Sequence, residues 1–136
     1  MSWEPRPLPE VTPESAAYWA SAADGRLVLS ECGDCGLVYH YPRALCPDCF
    51  GDDVSWIEAA GTGEVYSYSV AERVSGWPEA ELPLIVAYVE LDEGPRVVTN
   101  IDADPGDVEV GTRVEVTFAG TDADDVAIPL FEPVEG

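Results

Sequence analysis

The sequence predicts a mainly β protein in three parts: a short N-terminal helix, a cysteine-bound ribbon and a small closed barrel. Three observations lead there. One alanine-rich run, Ala16 to Ala23, is bounded by helix signals. Two Cys-x-x-Cys pairs lie between short strand-like runs. From Gly61 onward, five strand-like runs follow one another with no helical pattern between them. The expected parts are 1–26 for the arm and helix, 27–60 for the ribbon and 61–136 for the barrel.

Met1 to Val11 holds three prolines and reads as an extended arm. Thr12 is placed as the N-cap of the helix, with Pro13 at the first helical position and Glu14 at the positive end of the dipole. Gly25 is placed as its stop. Tyr18 and Trp19 are read as its anchors, because a helix this short needs tertiary contacts to form. Arg26 to Glu31, Leu37 to Pro42 and Val54 to Glu58 are the strands of the ribbon. In the barrel, Gly63 to Val70 alternates and Leu84 to Leu91 is strongly apolar. Asp92-Glu93-Gly94-Pro95 turns the chain into Arg96 to Ile101, giving a hairpin. Arg113 to Phe118 puts Val114, Val116 and Phe118 on one face. Ala127 to Phe131 is the last strand. Gly61-Thr-Gly63 marks the junction with the ribbon. Five strands in so short a stretch match the five-stranded oligonucleotide/oligosaccharide-binding (OB) barrel. An open sandwich normally needs more strands.

The cysteines are the strongest signal. Cys32 and Cys35 form one knuckle; Cys46 and Cys49, after ten intervening residues, form the other. Two residues between the sulfurs let both converge on one ion, and two knuckles supply a closed four-thiolate site. The expected metal is one structural zinc held by Cys32, Cys35, Cys46 and Cys49, in a rubredoxin-like ribbon. A catalytic zinc would keep a position open for water, and four thiolates leave none. Iron in the same ligand set would need a site exposed to redox partners. A thioredoxin-like redox pair needs a βαβ context that the pattern lacks. His40, the only histidine, is read as an exposed hairpin residue.

Charge is the other extreme feature. There are 27 acids against six arginines, with no lysine, giving a formal charge of −21. The acids are spread along the chain, so the whole surface is acidic. One reading is an acidic partner face. The other, favoured by the even spread and the missing lysines, is adaptation to strong salt, where screening shortens to ~3 Å at 1 M. It points to a halophilic organism, an archaeon. No apolar run reaches the ~20 residues of a membrane span. The N-terminus lacks the pattern of a signal peptide. The expected location is the cytoplasm, where reduced cysteines hold metal more often than they form disulfides.

No catalytic constellation is visible. A single histidine belongs to no Ser-His-Asp signature, and no glycine-rich phosphate loop follows a strand. Zinc ribbons and OB barrels also bind nucleic acid, but phosphate binding uses clustered cations. The barrel half has Arg73, Arg96 and Arg113 against seventeen acids. A nucleic-acid-binding protein is therefore the alternative, not the main reading.

The order of parts, with these residues, resembles the acyl-CoA-associated zinc-ribbon/OB-fold family catalogued as domain of unknown function thirty-five. The matching stretches are Leu27 to Gly36, Tyr41-Pro42-Arg43, Cys46 to Cys49, Gly61 to Ser67, Pro83 to Asp92, Gly111 to Val114 and Ile128 to Phe131. The resemblance runs from Thr12 to Pro133. It implies a chain that is not itself an enzyme, an accessory or scaffold subunit in a hetero-oligomer with a thiolase-type catalytic subunit. It further implies bridging to hydroxymethylglutaryl-CoA synthase, with acyl-CoA shared at the interface. In haloarchaea, small subunits of this kind accompany β-ketothiolases. CoA carries phosphates and this chain has few cations, so the partner is expected to make most CoA contacts. Arg43 is the local candidate for a phosphate or partner contact, against an equally good reading as a surface arginine paired with an acid. Tyr39, Tyr41 and Trp56 are expected to pack around the ribbon, and Trp77 with Pro78 to offer a partner anchor.

Overall fold

A computed structural model describes residues 3–4 and 6–134. Met1, Ser2 and Pro5 of the expected arm, and the last two residues of the expected barrel, lie outside the described residues.

The helix, α1, spans Ala16–Ala23 and starts later than the capping signal implied. Thr12 is not its N-cap; Ser15 is, without a side-chain cap bond. Thr12 and Ser15 instead pair with each other. The Thr12 amide donates to Ser15 Oγ at 2.9 Å, and the Ser15 amide donates to Thr12 Oγ1 at 3.3 Å. This is the reciprocal logic of a capping box, spent on a turn that precedes the helix. The exit is as expected. The amide of Gly25 donates to Ala22 O and that of Arg26 to Ser21 O, both at 2.9 Å, which is a Schellman ending. Tyr18 is buried and meets Trp19 edge-on at 4.9 Å, so both act as anchors.

The ribbon is a three-stranded antiparallel sheet in the order β2-β1-β3, with β1 at Val28–Cys32, β2 at Val38–Tyr39 and β3 at Val54–Glu58. The middle strand of the prediction shrinks to two residues. The chain folds back after Tyr39, whose hydroxyl donates to Arg43 O at 3.0 Å, and Pro42 has no amide to extend a ladder.

The barrel strands are β4 (Thr62–Ala71), β5 (Leu84–Leu91), β6 (Arg96–Asn100), β7 (Arg113–Gly120) and β8 (Ala127–Pro133). They run in the order β6-β5-β4-β7-β8, all antiparallel. A bulge between Val65 and Ser67 bends β4, so that its start pairs with β7 while its length pairs with β5. The sheet closes where Ile101 bridges Phe131 and the Asp102 amide donates to Phe131 O at 2.8 Å. Gly63 sits on β4 where it pairs with both β5 and β7, and a Cβ there would run into the backbone carbonyl of Glu90 on β5. The fold is the expected one, a helix, a four-cysteine ribbon and a nearly closed OB-like barrel.

One core unites ribbon and barrel. Leu27, Val28, Leu29 and Ala59 of the ribbon region pack with Val65, Val89, Val114 and Phe131 of the barrel. Three successive ribbon residues, Val28 to Ser30, are buried, so β1 is covered on both faces. A second cluster holds Trp3, Ala119, Val126, Ile128 and Leu130, with Trp19 and Trp77 against it. The arm is therefore pinned rather than free. Trp3 donates from its backbone to Gly120 O at 2.8 Å and from its indole to Pro7 O at 2.7 Å. The Arg6 guanidinium lies over its ring at 4.3 Å.

Candidate metal centre

The two knuckles are near copies of each other. In the first, the Cys32 amide donates to Leu37 O and the Gly36 amide to Cys32 O, both at 2.9 Å. In the second, the Cys46 amide donates to Gly51 O and the Phe50 amide to Cys46 O, again at 2.9 Å. Each turn needs a left-handed residue just after its second cysteine. The first knuckle uses Gly36 (φ +79°) and the second uses Phe50 (φ +61°). The contrast Cys35-Gly36 with Cys49-Phe50 is plain in the chain, but nothing local to the second knuckle announces that Phe50 takes a glycine's conformation.

The four sulfurs, from Cys32, Cys35, Cys46 and Cys49, all lie within 4.8 Å of one another. Cys32 Sγ and Cys49 Sγ are 3.6 Å apart, as are those of Cys35 and Cys46. A tetrahedron with Zn–S near 2.3 Å has edges of about 3.8 Å. The set therefore fits one tetrahedral metal ion. Backbone amides point at the sulfurs: Asp48 N–H to Cys46 Sγ and Gly51 N–H to Cys49 Sγ, each at 3.4 Å. The amides of Cys49 and Asp48 are chief among the causes that hold the Cys46 thiol down to about 7. Such amides favour the thiolate, the form a metal binds. Cys32 and Cys46 are buried, while Cys35 and Cys49 reach the surface.

The residues around the cluster differ from expectation in several places. His40 is half-buried rather than exposed, its ring meeting Tyr18 at 5.5 Å and Tyr41 at 6.3 Å. Its Nδ1 is buried with no hydrogen-bond partner among the described residues, and burial pushes the group down to about 4. It stands outside the sulfur cluster. Of Tyr39, Tyr41 and Trp56, only Tyr39 is buried against the ribbon; the other two are exposed. Trp77 is no free anchor: it meets Trp3 edge-on at 5.6 Å and helps hold the arm, and Pro78 beside it is half-buried. Arg43 is exposed and makes no ion pair among the described residues, unlike Arg6, Arg26, Arg96 and Arg113. A groove of about 560 Å³ runs between the arm, α1, the ribbon hairpin and the barrel, walled by Trp3, Tyr18, Trp19, Tyr41, Trp77 and Ile128 among others.

Two family models match the chain: the rubredoxin-like zinc ribbon domain of ChsH2 over residues 19–55, and its C-terminal OB-fold domain over residues 56–119. A relative from Thermomonospora curvata, "probable enoyl-CoA hydratase alpha subunit", is 39% identical over 94% of this chain. The chain spans only 40% of that relative's length. A "DUF35 domain-containing scaffold protein" of Methanocaldococcus jannaschii is 36% identical over 80% of this chain and 82% of its own length. The benzoylsuccinyl-CoA thiolase subunit BbsA of Thauera aromatica is 25% identical over 94% of this chain and 90% of its own. Among solved structures, a chain of an Ltp2-ChsH2(DUF35) aldolase superposes with a TM-score of 0.81 at 38% identity, covering 93% of this chain and 98% of that one.

Proposed function

The chain belongs to the DUF35/ChsH2 family of zinc-ribbon and OB-fold proteins, and from that premise we propose that it is a non-catalytic accessory subunit of a thiolase- or aldolase-type acyl-CoA enzyme. One observation carries the reading. Relatives aligned over most of both chains are named a scaffold protein, a thiolase subunit and part of an aldolase. The chemistry of the cluster supports it. Cys32, Cys35, Cys46 and Cys49 are the ligands of one structural zinc, and four thiolates leave no position for substrate or water. Bridging to a second enzyme of the same acyl-CoA, such as hydroxymethylglutaryl-CoA synthase, is the finer form of this reading, and the name "scaffold" on the archaeal relative favours it.

Four of the six arginines already face acids, which weighs against nucleic acid as the partner. The test is co-purification from native extract at molar salt. The expected result is a hetero-oligomer containing a thiolase- or aldolase-type subunit. A chain that elutes alone, or that turns over an acyl-CoA by itself, would sink the proposal.

A further inference from the structure

The second knuckle holds a conformation that glycine would adopt more cheaply. Gly36 and Phe50 fill equivalent places in the two turns, yet only one of them is a glycine. For an L-residue the left-handed conformation carries a penalty of roughly 1–2 kcal/mol. Packing inside the molecule does not offset it, because Phe50 is 74% exposed, more than any other large apolar side chain described. Leu45, just before Cys46, is 50% exposed. Backbone strain retained under an exposed aromatic ring points outward, to something the ring touches.

The surroundings say what kind of surface that is. Asp34, Asp48, Asp52 and Asp53 are all exposed, and none is in an ion pair among the described residues. The Asp34 carboxylate lies against Gly51 and that of Asp53 against Gly33, so the acids border both knuckles. Four thiolates around a divalent ion add two more net negative charges. The knuckle is thus an apolar tip in a field of unpaired negative charge, held rigid by its own turn bonds. Rigidity lowers the ordering cost of association.

We propose that this tip, anchored by Phe50, docks into a folded protein subunit that offers an apolar socket bordered by arginine or lysine. The inference rests on the accessory-subunit reading and names its contact surface: the occupant is the catalytic acyl-CoA enzyme, which must carry cations for the phosphates of CoA. A second copy of this chain, a nucleic acid or an anionic membrane would each meet the tip with like charge.

The experiment places the photo-crosslinker p-benzoylphenylalanine at position 50 of the full chain in cells at native salt, and at the exposed barrel residue Val110 as control. Position 50 is expected to crosslink to an acyl-CoA enzyme subunit, at a peptide containing arginine or lysine, and position 110 is not. That subunit, purified, is then titrated with zinc-loaded wild type, Phe50→Gly and Phe50→Tyr. Phe50→Gly should bind roughly tenfold to thirtyfold more weakly, the range of an aromatic anchor. Its zinc content should be unchanged and its melting temperature equal or higher. Phe50→Tyr should bind within about threefold of wild type. No crosslink at position 50, crosslinking only to other copies of this chain, or wild-type affinity in Phe50→Gly would each overturn the inference. A crosslink to a basic socket on a protein of another class would keep the docking tip and overturn the acyl-CoA reading.

Discussion

Cys46 and His40 show how much single side chains decide. Cys46 is fully buried and its sulfur accepts from the Asp48 amide at 3.4 Å. Cys46→Ser should drop zinc from one ion per chain to near none, read by metal analysis. Hydrogen exchange should rise across residues 33–53 and stay low in β5 and β7, since Leu27 to Leu29 are held by the barrel core and not by metal. His40 makes a pH prediction. Its folded pKa is depressed to about 4 by burial. Below pH ~6.5 the unfolded chain takes up a proton that the folded chain refuses. The stability associated with neutral His40 is therefore complete above pH ~6.5 and is lost as pH falls towards 4. Replacing it by Gln removes this titration. Urea midpoints of wild type and His40→Gln, compared from pH 7 to 4, should converge or cross as the acid limit is approached. A constant difference across that range would refute the burial argument.

At the level of elements, the sequence was most legible where a local rule acts alone. The limits of β3 and β5 agree with the predicted strands residue for residue. Cysteine spacing marked each knuckle, because a knuckle is a local turn, and the pairing of β1 with β3 sets the second knuckle against the first. It was least legible where a distant contact wins. Thr12 and Ser15 satisfy one another, so the capping signal was spent one turn early. Leu37 to Pro42 has strand-like residues but bends under Tyr39. The arm, proline-rich and unpatterned, gave no hint that Trp3 would be 5% exposed, because its partners come from β7, β8 and the loop of Trp77. Trp3→Ala should therefore cost about 3 kcal/mol or slightly more, the lower end for losing a buried tryptophan. Denaturant unfolding checks it. A change under about 1 kcal/mol would mean the arm is not part of the cooperative core.

Taken whole, the molecule carries far more negative charge than its arginines can answer. The ion pairs described are exposed or half-exposed at one partner or both, so each contributes little. Self-repulsion then dominates in dilute buffer and fades as salt shortens its reach. Melting temperature should rise steadily from 0.1 M to above 1 M KCl, and the zinc-loaded chain should lose cooperative unfolding at the dilute end. A melting temperature indifferent to salt would remove the case for adaptation to brine. No described helix is long and apolar enough to cross a membrane.

The bond between Ile101 and Phe131 has a meaning beyond closure. An open five-stranded sheet would leave β6 and β8 as two raw margins, each able to recruit a stranger's strand. Proteins commonly fend off such recruitment by studding the margin with lysine, and this chain has none. Here the margins are latched to one another by the Ile101–Phe131 pair, the amide of Asp102 and the hydroxyl of Thr99, which donates to Pro129 O at 3.4 Å. The seam takes over the guard duty that lysine performs elsewhere, which leaves the sequence free to be as acidic as it is.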